Sequence, residues 1–199
     1  MNQLLISKLP DTGDAYLSVI ERKDGVFRAC LQRIYIFFTR FISCTWKSQR
    51  YVVSRYYLIR LVKKLGLSTD FNYCFSHSGK YSAVVFSPCI ENLSVDIELA
   101  ERRLSESLRA KVKALYPDLL MPELVIIMIL ESLVKLSVFD SPFSLSKGLS
   151  KNCPAKISSL NENIFEVIVS NVKVYSRVYR FDNLYICITR DKNHFPPSL

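Results

Sequence analysis

Asp96 and Glu98 stand two residues apart in Leu93 to Glu98, a stretch that alternates apolar and polar residues and so predicts a β-strand. A period of two sends both acids to one face and Val95 and Ile97 to the other. Neighbouring carboxylates repel, and the relief comes from exposure, a shared proton or a cation. A hard divalent ion such as Mg²⁺ takes one or two carboxylates and keeps positions for water and phosphate. A solvated strand edge is the alternative reading. Glu131 and Lys135 lie four apart on the helix predicted over Glu123 to Phe139, with Glu on the N-terminal side, the better order for a surface ion pair. The run Val125 to Leu130 before Glu131 is entirely apolar, however. A carboxylate leaving so buried a helix needs a partner or a metal. The third cluster is Ser76-His77-Ser78 with Lys80 just beyond, read as a polar turn whose donors could hold an anionic oxygen. A merely exposed turn histidine is its plain alternative. His194, near a Pro-rich end, offers nothing comparable, and no Walker loop, GxGxxG, GxSxG or HExxH occurs.

These groups must be positioned by a mixed set of elements. Tyr16 to Glu21 reads as a strand, while Gly25 to Phe38 is ambiguous between strand and helix. Trp46 to Leu65 carries Val52, Val53, Tyr56, Tyr57, Ile59 and Val62 at helical intervals between basic residues, with Gly66 as its C-terminal stop. Phe71 to Phe75 and Tyr81 to Phe86 form two strands about the Ser76 to Lys80 turn. Leu104 to Tyr116 and Glu123 to Phe139 are helical, separated by Pro117 and Pro122. Ile157 to Thr189 returns to β character. Helices and strands in turn with an antiparallel β tail predict an α+β fold.

The 199 residues include 49% apolar and 12% aromatic side chains, enough to exclude disorder, and the five Gly and eight Pro exclude collagen-like and low-complexity classes. The net charge of +9 is concentrated. Arg22 to Lys64 holds eleven Lys or Arg against the single acid Asp24, a net of +10, and the rest of the chain is near neutral. Such a block attracts phosphate groups, anionic lipid or an acidic protein, or is simply a solvated face. The six cysteines form no CxxC or zinc-spaced cluster, and no signal peptide opens the chain, so reduced thiols in a cytoplasmic protein are expected. Phe27 to Trp46 is interrupted by Arg28, Gln32, Arg33 and Arg40, and Leu124 to Leu130 is short, so neither reaches the roughly 20 apolar residues of a membrane span.

Taken in order, Phe71-Asn72-Tyr73-Cys74-Phe75-Ser76-His77-Ser78-Gly79-Lys80-Tyr81, Ser94-Val95-Asp96-Ile97-Glu98 and Glu131-Ser132-Leu133-Val134-Lys135 resemble the signature series of 4′-phosphopantetheinyl transferases. The larger, Sfp-like single-chain class is the nearest type. Its signatures are an extended segment ending in SHS, then G-x-D-x-E, then W-x-x-K-E-S/A-x-x-K. The resemblance covers roughly Lys47 to Lys135. Two departures stand out: Ser94 replaces the Gly of the second signature, and Ile127 and Leu130 replace the Trp and Lys of the third.

The resemblance implies two similar α+β lobes, 1–103 and 104–199, related by a pseudo-twofold axis with the site at their interface, in a monomer. It implies transfer of the phosphopantetheine arm of coenzyme A to a serine of an acyl, peptidyl or aryl carrier protein, with release of adenosine 3′,5′-bisphosphate. Asp96, Glu98 and Glu131 would hold Mg²⁺, Glu131 would accept the serine proton, and Lys135 would stabilise pyrophosphate charge. Ser76 and His77 match the phosphate-contacting turn, and Arg50 or Arg55 would reach the 3′-phosphate. The basic first third would speed encounter with coenzyme A and an acidic carrier. A degenerate relative that binds coenzyme A or a carrier with little transfer is one rival reading, motivated by Leu130. A basic nucleic-acid-binding module is the other, although no RNP motif, zinc finger or helix-turn-helix signature accompanies the charge.

Overall fold

The computed structural model describes residues 2–8, 16–21, 62–66, 72–87, 92–136, 145, 149–150, 155–161 and 163–191, and among these the strand-forming alternation and the helical runs become two antiparallel sheets and two whole helices. The strands are β1 (Asn2–Lys8), β2 (Tyr16–Glu21), β3 (Asn72–Ser78), β4 (Tyr81–Ser87), β5 (Leu93–Leu99), β6 (Lys156–Ser159), β7 (Ile164–Val169), β8 (Val172–Phe181) and β9 (Leu184–Arg190). The helices are α1 (Glu106–Leu115) and α2 (Glu123–Val134). The first sheet has the order β1-β2-β4-β3 and the second β5-β9-β8-β7-β6. The fold is therefore α+β. Among the described residues no helix is long and apolar enough to cross a membrane.

Period-two patterning shows directly in where the side chains go. Val95 and Ile97 of β5, with Leu184, Ile186 and Ile188 of β9, face Leu17 and Val19 of β2 and Ala83 and Val85 of β4, so one apolar core joins the two sheets. The opposite face of the second sheet, through Cys187, Val167, Val174 and Val178, packs on α2. Nothing polar interrupts α2 from Leu124 to Leu130, and all seven residues are buried. Pro122 opens it, and Ser105 caps α1 by accepting from the Leu108 amide at 3.3 Å.

The helix expected over Trp46 to Leu65 is described only at residues 62–64, which are helical and end at Gly66 with φ of +65°, as a glycine stop requires. The rest of that helix, with Arg50 and Arg55, lies outside the described residues, as do Gly25 to Phe38 and His194. The Ser76 to Lys80 turn is shorter than expected. Ser76, His77 and Ser78 continue β3, opposite Ala83, Ser82 and Tyr81 of β4, and only Gly79 and Lys80 make the turn. Polar residues can extend a strand when their side chains find partners, and these do. Gly79 has φ of +53°, and a Cβ there would stand 3.2 Å from Leu99 Cδ1, so both conformation and space ask for glycine. The chain expected to divide after residue 103 separates its sheets between β4 and β5, because β5 pairs with β9.

Candidate metal centre

β5 is the edge of the second sheet and β3 the edge of the first, and the two edges are stitched by side chains. The Ile97 amide donates to Ser76 Oγ at 3.3 Å and the Leu99 amide to Ser78 Oγ at 3.4 Å. Each serine passes its own proton on: Ser76 to Asp96 Oδ1 at 2.8 Å and Ser78 to Glu98 Oε2 at 2.6 Å. Two strands with matching every-second-residue patterns, Ser-x-Ser and Asp-x-Glu, thus meet face to face. The result satisfies an otherwise bare strand edge and fixes both carboxylates.

The acids are not on a solvated edge. Asp96 is 3% exposed and Glu98 is buried, both on the face that looks toward α2. From that helix Glu131 completes the group: one oxygen from each of Asp96, Glu98 and Glu131 lies within 4.8 Å of the others. Asp96 Oδ2 is buried and has no hydrogen-bond partner among the described residues. Trans ligands of an octahedral Mg²⁺ stand about 4.2 Å apart, given Mg–O bonds of about 2.1 Å. The three oxygens would have to draw in by up to about 0.6 Å to hold Mg²⁺, and an all-oxygen set with an unused buried lone pair is the donor chemistry a hard divalent cation takes.

Lys135, at the C-cap of α2, points into the same place. Its ammonium donates to Asp96 Oδ1 at 2.6 Å, to the Val95 carbonyl at 2.8 Å and to Ser76 Oγ at 3.0 Å. Three protons have three protein acceptors. Lys135 therefore serves Asp96, and the expected surface pair with Glu131 gives way to this buried one, because residue 135 leaves the helix and turns its stem toward β5. Ser76 is likewise committed: its one proton goes to Asp96, which makes it a support for the carboxylate rather than a free donor to an anion. His77 alternates to the other face of β3, where its Nδ1 lies 2.7 Å from Ser82 Oγ, directly across the ladder.

Two further participants were not assigned a role from the sequence. Ser78 holds Glu98, and a strand reading of SHS would have found it, since Ser78 repeats Ser76 two residues on. Arg102 hydrogen-bonds Glu98 Oε1 through Nη1 and lies 4.0 Å from Glu131 Oε2. It belongs to an irregular segment between β5 and α1, where no periodicity applies.

Burial first, and then the Asp96 charge, push the Glu131 carboxyl up to about 7, with Arg102 pulling the other way. Burial also raises Glu98. Both free cysteines among the described residues are held protonated by burial, Cys187 up to about 12, so neither is a nucleophile. For Glu131 the unfolded chain titrates near 4.5 and the folded chain near 7. Between those values the folded state holds the extra proton, so stability falls as pH rises, by roughly 3 kcal/mol once the group is fully ionised. A cation that binds the ionised trio offsets this. Millimolar Mg²⁺ is expected to raise the melting temperature more at about pH 8 than at about pH 5.5. An equal shift at the two pH values in a thermal melt would contradict the centre.

The departures from the signatures leave all three carboxylates in place. Ser94 has no positive φ, so its position does not demand glycine. Ile127 and Leu130 are both in the apolar cluster under α2, and Leu130 is wholly buried. Leu130→Lys is therefore expected to destabilise the protein by at least about 3 kcal/mol, by burying an unpaired ammonium, without adding charge to the site. Urea denaturation measures the loss. No protein-family model matches the chain, and no curated protein matches it.

Proposed function

We propose that the chain is a Mg²⁺-dependent 4′-phosphopantetheinyl transferase, acting on coenzyme A and a serine of an acyl, peptidyl or aryl carrier protein. The single observation that carries the reading is the convergence at one spot of the buried Asp96 and Glu98 of β5 and the half-buried Glu131 of α2. The three residues come from the two signatures that suggested this chemistry, and 33 positions separate Glu98 from Glu131. Their meeting is a tertiary event that the motif predicts and an accidental DxE does not require.

The reaction is attack of a serine hydroxyl on a pyrophosphate phosphorus. A new P–O bond forms to the serine, and the bond to adenosine 3′,5′-bisphosphate breaks. Bound Mg²⁺ supplies charge neutralisation at the pyrophosphate oxygens. Asp96, Glu98 and Glu131 would hold it, and Ser76 and Ser78 fix the first two carboxylates from β3. Glu131, the acid of the trio that comes from the helix, would take the serine proton directly or through a water. Lys135 orients Asp96 and adds positive charge beside the reacting phosphate. His77, on the other face of β3, and the basic segment from Arg22 to Lys64 with Arg50 and Arg55 would serve the more distant nucleotide phosphates. The two lobes of the family's larger class correspond in this reading to the two sheets, with the site at the β3–β5 seam.

Purified protein with coenzyme A, Mg²⁺ and a panel of carrier proteins is expected to add one phosphopantetheine to a carrier, read by mass spectrometry. No gain across the panel, with the protein folded and Mg²⁺ bound, would reject the transferase in favour of the binding-only relative. Salt-sensitive binding of single- or double-stranded nucleic acid with no response to coenzyme A would instead favour the nucleic-acid module.

A further inference from the structure

Among the described residues, Arg102 is the one cation in contact with two of the three carboxylates. Its guanidinium bonds Glu98 Oε1 and stands 4.0 Å from Glu131 Oε2, so it lies where positive charge is wanted when nothing else supplies it. Lys135, by contrast, reaches only Asp96 among the acids, and its three protons are all engaged by protein oxygens. The two basic groups therefore divide the trio between them. They differ in how easily they could leave. The Lys135 side chain is 29% exposed and threaded between β3 and β5, whereas that of Arg102 is 38% exposed and grows from an irregular segment. A guanidinium in that setting can swing into water on its own rotamers without disturbing the core.

A divalent ion among Asp96, Glu98 and Glu131 would meet Arg102 as a like charge at close range, and both compete for the same Glu98 oxygen pair. Ser78 already occupies Oε2, so Oε1, the atom Arg102 holds, is the better remaining ligand. We propose that Arg102 is the resident counter-ion of the trio: it neutralises Glu98 and Glu131 in the metal-free protein and gives up Glu98 when a divalent cation enters. This rests on the metal-centre reading above and adds to it a residue that no signature contains. Arg102 acts through the carboxylates and is thus a positioning residue. Its cost to metal affinity is the counterpart of keeping the buried Glu98 and the half-buried Glu131 tolerable side by side.

The test is Mn²⁺ binding to the full chain, followed by electron paramagnetic resonance of the free ion, with wild type, Arg102→Gln and Arg102→Lys. Removing the charge is expected to tighten Mn²⁺ binding by about tenfold, while Arg102→Lys, which keeps it, stays within about threefold of wild type. In parallel, Arg102→Gln should melt below wild type without metal and level with it at saturating Mn²⁺. A merely structural arginine predicts the reverse sign, weaker binding in the variant. Equal or weaker Mn²⁺ binding by Arg102→Gln than by a wild type that does bind overturns the counter-ion role and leaves the metal centre standing. Absence of binding in wild type and variants alike overturns both.

Discussion

Glu131→Gln is expected to abolish carrier modification while making the metal-free protein more stable at alkaline pH. The two effects share one cause. Glu131 leaves a helix buried on several sides and faces Asp96, and its carboxyl is pushed up to about 7 as a result. At about pH 8 it is ionised against that resistance, and the folded state carries a penalty of roughly 3 kcal/mol. Glutamine has the same shape without the charge, so the penalty vanishes and stability should rise by up to about that amount, with no gain well below pH 4.5, where the Glu131 carboxyl is neutral in both the folded and the unfolded state. Function moves the other way. Losing one anionic ligand is expected to weaken Mg²⁺ by at least about 10–100-fold, the range for losing even a supporting contact. Loss of the base and of charge balance should lower transfer by at least about a hundredfold. Denaturation curves at two pH values and carrier mass spectrometry read the two halves. A variant that is less stable at both pH values would mean that Glu131 is held by partners rather than strained.

The second large effect is at Lys135. Its ion pair with Asp96 at 2.6 Å is nearly dry, with Asp96 3% exposed. Lys135→Met keeps the bulk of the stem and leaves a buried carboxylate whose oxygens retain only the Ser76 proton and an unpartnered lone pair. Breaking such a pair from one side costs about 3–5 kcal/mol, because the remaining charge is desolvated and unpaired. Mg²⁺ restores positive charge to the same carboxylate, so millimolar metal is expected to recover a large part of the lost stability without restoring transfer. Urea titration with and without Mg²⁺ decides it. If the loss is the same in both, Asp96 is not a metal ligand.

Much of the architecture was legible in local patterns. Alternation in Leu93 to Glu98 foretold that Asp96 and Glu98 share a face opposite Val95 and Ile97, and the core between the sheets receives those two apolar residues. The unbroken apolar run before Glu131 foretold a buried helix, and the carboxylate it delivers indeed finds charged neighbours. The SHS segment was read as a turn because Ser, His and Gly favour turns. The strand won there because each side chain found a partner: two carboxylates on one face and Ser82 on the other. Strand propensity depends on such neighbours, and they are not adjacent in sequence.

Residue order by itself determined which side chains travel together: period two pairs Asp96 with Glu98, and helical spacing places Glu131 and Lys135 at the end of one apolar rod. Those relations are set by backbone geometry within a few residues and survive any packing. Only the tertiary structure decided that the two sheets abut along β3 and β5, that Lys135 turns from Glu131 to Asp96, and that Arg102 closes on Glu98 and Glu131. Such choices follow from which apolar faces must be buried against each other and from the desolvation that burial then imposes on the charges caught between them.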